Sequence, residues 1–92
     1  MGRSILIFGL PGSGKTHLAE RLAKHLQYAW FNADTVRGFA NDWDFSMEGR
    51  MRQSERMKMY ADFEKSWHRS SICDFVCPTN ATREHFNADI TI

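Results

Sequence analysis

Three glycines at positions 9, 12 and 14, with a lysine and a threonine directly after the last, are residue types that together bind phosphate. The run Gly9-Leu10-Pro11-Gly12-Ser13-Gly14-Lys15-Thr16 satisfies G-x-x-x-x-G-K-[ST] at every fixed position. Glycines without a Cβ let the backbone fold around phosphate oxygens with its N–H groups turned inward, and a helix that follows adds the positive end of its dipole. Lys15 is placed to reach the β- and γ-phosphates and Thr16 to set its hydroxyl on Mg²⁺. A glycine-rich turn that binds nothing would not call for a Lys-Thr pair at its end. The chemistry implied is binding of a nucleoside triphosphate with Mg²⁺; the loop by itself does not choose between kinases, ATPases and GTPases.

Such a loop works only between a strand and a helix, and the flanking residues supply both. Residues 5–8, Ile-Leu-Ile-Phe, form a continuous apolar run suited to a strand buried on both faces of a parallel sheet. Leu18, Ala19, Leu22, Ala23 and Leu26 recur at helical spacing, so residues 14–26 predict an amphipathic helix. Residues 28–32 suit a second strand and residues 34–40 a brief helix or turn. Ser46 can cap a long helix starting at Met47 and ending near Arg69, with Met51, Met57, Tyr60, Ala61 and Trp67 as its apolar face. Gly49 and Arg50 are expected to break it in two. Residues 71–77 read as a third strand ended by Pro78, residues 79–86 as a short helix, and residues 88–92 as the start of a fourth strand.

Composition narrows the class. The 92 residues carry 12 Lys plus Arg against 11 Asp plus Glu and are 42% hydrophobic, the balance of an ordinary globular domain. A net charge of +1 gives no basis for wrapping nucleic acid. The apolar run near the start is far shorter than the ~18 residues a membrane span needs, and no cleavable signal is recognisable, so no membrane partner and a cytoplasmic location are expected. Cys73 and Cys77 supply neither a disulfide framework nor the ligands of a structural zinc, and read as free thiols. His17, His25, His68 and His85 show no ligand spacing and read as surface or interfacial residues.

Past the loop, the order Asn32-Ala33-Asp34-Thr35-Val36-Arg37, then Asn41-Asp42-Trp43-Asp44-Phe45-Ser46, then Glu48-Gly49-Arg50-Met51-Arg52-Gln53 and Arg56-Met57, resembles adenylyl-sulfate kinases. The resemblance spans nearly all of the chain. It implies transfer of the γ-phosphoryl group of MgATP to the 3′-hydroxyl of adenosine 5′-phosphosulfate. It further implies Lys15 and Asp34 as catalytic residues, Asp34 acting as general base or orienting the Mg²⁺ side. A carboxylate near the γ-phosphate can accept a hydrogen bond from the attacking hydroxyl, although the residues alone also allow Asp34 as a helix cap. Arg37 and Arg50 fall on positions that hold the phosphosulfate anion, Asn41 and Gln53 on neighbouring polar contacts, and Phe45 on the ring that stacks on the substrate adenine. Val76, Cys77 and Pro78 fall on the turn lining the substrate pocket. Thr16 and Asp34 would serve the metal. Asp74, near the end of its strand, either assists Mg²⁺ through water or is a buried aspartate bonded to the loop. Asn32 and Ala33 depart from the family, which has Asp and Gly there.

The expected architecture is an α/β, three-layer P-loop kinase-like sandwich. Its parallel sheet is ordered second, third, first, fourth strand, with right-handed crossovers. Residues 1–92 would form a single domain that is incomplete, since such kinases run to ~100–150 residues or more and this sequence stops within the fourth strand. Absence of a lid and of the adenine-gripping part puts turnover by the short chain in question. Other readings stand beside the first: another P-loop small-molecule kinase, or a nucleotide-binding remnant without turnover. The partners expected are small-molecule nucleotides, with a homo-oligomer through the unfinished sheet edge as a further possibility.

Overall fold

The apolar run becomes β1 (Ser4–Ile7), buried along its whole length. In the computed structural model, which describes residues 2–9, 14–76 and 79–92, it is followed by α1 (Lys15–Leu26) and β2 (Ala29–Asn32). Then come α2 (Ala33–Ala40), α3 (Met47–Ser66), β3 (Ser71–Asp74), α4 (Asn80–Phe86) and β4 (Ile90–Thr91). The strands form one parallel sheet in the order β2-β3-β1-β4, as the sequence led us to expect.

Strand alternation divides the interior into two cores. Ile5, Ile7 and Ile72 pack on Ala19 and Ala23 of α1, with Leu22, Tyr28 and Trp30 closing that side. Leu6 and Cys73 face the other way, onto Val36 of α2, Met57 and Ala61 of α3, and Phe86 of α4. Helices thus cover both faces, which is the three-layer arrangement. Phe31 adds a stacked contact with Tyr60, their rings 5.0 Å apart. Burial pushes the Cys73 thiol up to about 12, so this free thiol stays protonated and inert.

Besides shifts of one or two residues at other element ends, with β4 confined to Ile90–Thr91, three features differ from the sequence reading. First, α3 runs unbroken through Gly49 and Arg50. Gly49 is buried against the preceding loop, and a Cβ there would lie 2.1 Å from the Asp44 carbonyl oxygen, so the glycine admits a close approach and does not end the helix. Secondly, α3 stops at Ser66. His68 turns left-handed at φ 58 and the Arg69 N–H returns to the Glu64 carbonyl, closing the end three residues early. Its buried residues are Gly49, Gln53, Ser54, Met57 and Ala61, whereas Met51, Tyr60 and Trp67, expected on the buried face, are exposed. Thirdly, β3 ends at Asp74, although the Phe75 N–H still donates to Ile7. Cys77 and Pro78 lie outside the described residues.

Ser46 caps α3 by accepting from the Gly49 N–H, and Thr79 caps α4 through the Thr82 N–H. The cap of α2 is Asn32, which accepts from the Thr35 N–H. Pairing at the β4 edge runs one residue beyond the strand, through Ile92 N–H to Leu6 and Phe8 N–H to Ile92.

Candidate functional site

Parallel register sets the site. Ile7 is paired with Asp74, and Asp74 with Asn32, so the C-terminal ends of three adjacent strands stand level. Ligands of open α/β sheets gather at this end. Over it comes the start of α1. Gly14 sits left-handed at φ 85 and heads the helix without a side-chain cap, and no acidic residue occupies the first turn. The leading N–H groups are therefore left for an anion, and the dipole favours one. Of the glycine-rich loop, Gly9, Gly14, Lys15 and Thr16 are described; Leu10, Pro11, Gly12 and Ser13 lie outside the described residues.

Asp74 is the buried carboxyl of this edge, with 1% of its surface exposed. Trp30 Nε1 donates to its Oδ1 at 3.0 Å, and Asn32 Nδ2 lies 3.2 Å from each carboxyl oxygen. The same Nδ2 is 3.5 Å from Thr16 Oγ1. Burial raises the Asp74 carboxyl above its ordinary range, while the donors Trp30, Thr16 and Asn32 and the nearby Lys15 charge pull it back down. Asp74 is thus a buried carboxyl held by Trp30 and Asn32 at the phosphate end of the sheet. Trp30 and Asn32 were not singled out as its partners, yet their spacing of two on a strand turns both to one face and supplied the signal.

Asp34 lies exposed in the first turn of α2, where a carboxylate suits the positive helix end. The predicted acceptor residues divide into two groups. Phe45, Arg50 and Asn41 are exposed, and Val76 is exposed just past β3. Arg37 and Gln53, in contrast, are buried and engaged within the chain. Arg37 donates to the carbonyls of Asp42 at 2.9 Å and Asp44 at 3.2 Å, and its guanidinium stands 4.4 Å from the Phe45 ring centroid. Gln53 donates to the Ala33 carbonyl at 2.9 Å and accepts from Arg56 at 2.7 Å.

The sequence reading missed what holds this connection together. Asp42 accepts from Arg52 and Arg56, and Asp44 from Arg52. Arg52 and Arg56 are one helical turn apart on α3, a spacing that could have marked them as a pair facing a common acid. Among the described residues no group of three or more His, Cys, Asp or Glu is arranged to hold a metal by itself. Mg²⁺ does not need such a cage, since it keeps several waters and takes phosphate oxygens. The Thr16 hydroxyl and the Asp74 carboxyl fit that donor set, whereas Asn32 turns its nitrogen to the site and cannot ligate.

Comparison with known proteins bears on the fold and the family. A family model described as an AAA domain matches residues 5–71. The chain is 32% identical over 89 residues to a probable adenylyl-sulfate kinase of Pseudomonas aeruginosa, covering 90% of this chain and 42% of that protein. It is 33% identical over 91 residues to a probable adenylyl-sulfate kinase of Aeropyrum pernix, covering 89% of this chain and 48% of that one. A hexameric APS kinase from Thiobacillus denitrificans superposes with a TM-score of 0.81 at 26% identity, over 94% of this chain and 19% of that one. The chain thus spans less than half the length of these curated relatives.

Proposed function

We propose that this chain, which belongs to the AAA-domain family of P-loop proteins, carries the phosphate-binding part of a small-molecule kinase whose acceptor is adenylyl sulfate. The observation that carries the reading is the convergence of Thr16, in the first turn of α1, with Asn32 and Asp74 at the level ends of β2 and β3. The open N–H groups of α1 take the phosphates of ATP, and Lys15 holds the γ-phosphoryl group as its charge shifts. Thr16 and Asp74 would hold Mg²⁺, Asp74 through water. When bound, the ion supplies charge neutralisation between the phosphates. Asp34 accepts the proton of the attacking 3′-hydroxyl and keeps it in line.

On the acceptor side, Phe45 offers an exposed ring for the adenine and Arg50 a free-reaching cation for the phosphosulfate. Arg37 contributes differently: buried under Phe45, it orients the ring and the connection while spending its hydrogen bonds on carbonyls. Asn41, Gln53 and the turn at Val76, Cys77 and Pro78 complete the acceptor side. Occupation of Arg37 and Gln53 within the chain favours a second reading, a P-loop kinase with a different small acceptor that makes less use of a two-arginine anion clamp. Among the described residues no helix is long and apolar enough to cross a membrane, and we place the reaction in the cytoplasm. A second copy would pair on the β4 edge, where Ile90 and Ile92 are exposed.

Transfer of ³²P from [γ-³²P]ATP with Mg²⁺ to adenosine 5′-phosphosulfate tests the proposal. Labelled product that disappears in Lys15→Ala is the expected result. Lys15-dependent ATP binding with transfer to another small hydroxyl acceptor, and none to adenylyl sulfate, would replace the first reading with the second. ATP binding without any transfer would mean that this stretch alone is a nucleotide-binding unit.

A further inference from the structure

We propose that Asn32 holds Asp74 in place when no divalent cation is bound, and so makes Mg²⁺ binding conditional on nucleotide phosphate; this rests on the MgATP reading above. The Asn32 amide is fixed at both ends. Its Oδ1 accepts from the Thr35 N–H at 3.1 Å and the Thr35 hydroxyl at 3.2 Å, while its Nδ2 lies 3.2 Å from both Asp74 oxygens. A backbone N–H demands an acceptor and a carboxyl demands a donor, so the amide can point only one way. With Thr16 Oγ1 3.5 Å from the same nitrogen, one planar group bridges the head of α1, the head of α2 and the end of β3.

A buried carboxyl needs donors or a cation. Here Trp30 Nε1 and the Asn32 amide meet that need with fixed, neutral groups. A bare cation therefore gains little by arriving, because Asp74, the one buried carboxyl among the described residues at these strand ends, is already satisfied. Triphosphate oxygens bring the negative charge that makes its binding favourable. A carboxylate at position 32 would reverse this: two acids about 3 Å apart cannot both stay ionised without a cation between them. The N-cap would survive the change, since Asp accepts from the Thr35 N–H as well as Asn does.

Mn²⁺ binding to the nucleotide-free chain, followed by electron paramagnetic resonance and calorimetry, is the test. Asn32→Asp should bind Mn²⁺ about 10-fold or more tighter than the parent, the scale on which outer partners move metal affinity. Its melting temperature should drop without metal and recover with Mn²⁺. The swap Asn32→Asp with Asp74→Asn should restore metal-free melting and return Mn²⁺ affinity to the parental level. Equal Mn²⁺ affinity in Asn32→Asp and parent, or a lowered melting temperature that neither Mn²⁺ nor the swap repairs, would overturn the proposal. Failure of the nucleotide reading would show separately, as ATP binding indifferent to Lys15→Ala.

Discussion

At the scale of single residues, the same side-chain type serves opposite ends. Arg50 is exposed, whereas Arg37 is 5% exposed with its donors on the Asp42 and Asp44 carbonyls. Removing Arg37 leaves those carbonyls without their donor and Phe45 without its cationic support. Arg37→Ala should destabilise the fold by about 1–3 kcal/mol, measured as a lowered urea midpoint. Arg50→Ala should leave that midpoint within about 0.5 kcal/mol and weaken acceptor binding instead. Equal loss of stability in both would contradict the division. The P-loop residues were legible because their spacing is set by phosphate geometry and nothing else in the chain resembles it. The role of Arg37 was not, since a guanidinium that binds an anion and one that ties a loop look alike until the carbonyls are placed. Asn32 showed in sequence only as a departure from the family; its bond to Asp74 spans 42 positions and exists only through the β2-β3 register.

At the scale of elements, the α2–α3 connection and the head of α3 act as one piece. Gly49 closes tightly on Asp44, and Gly49→Ala should cost about 1–3 kcal/mol in the same unfolding experiment, because the Asp44 backbone must move. An unchanged midpoint would mean that the helix head is free to shift. Arg52 first, then Arg56, hold the Asp42 carboxyl far below the usual range. Hydrogen bonds from Ser46, then from Arg52, lower Asp44 from 3.8 to about 2. A lowered folded-state value gives stability that is complete above the unfolded value and lost as pH falls through the folded one. Protection of the Ser46 amide, which donates to the Asp44 carboxylate, against hydrogen exchange should thus persist from neutral pH to about 4 and fade between about 4 and 2. Loss of protection already near pH 6 would contradict the assignment. Continuity of α3 was hard to read because apolar residues lie on two sides of it: Met57 and Ala61 are buried, whereas Met59 and Phe63 are 68% and 58% exposed. A helix with two apolar sides blurs the 3.6-residue period on which boundaries depend.

For the whole molecule, the order β2-β3-β1-β4 was legible because buried parallel strands read as apolar runs and crossovers have one hand. The sheet in turn dictates the site: it sets Ile7, Asp74 and Asn32 level and lays α1 above them. What the fold delivers is therefore a phosphate-binding edge, and MgATP is the ligand we propose for it. Calorimetric titration of ATP with and without Mg²⁺ into the parent chain, Lys15→Ala and Asp74→Asn tests that claim directly. The expected result is saturable binding to the parent, loss in Lys15→Ala, and in Asp74→Asn binding that no longer gains from Mg²⁺. Binding of equal strength in all three proteins, or none in the parent, would contradict it.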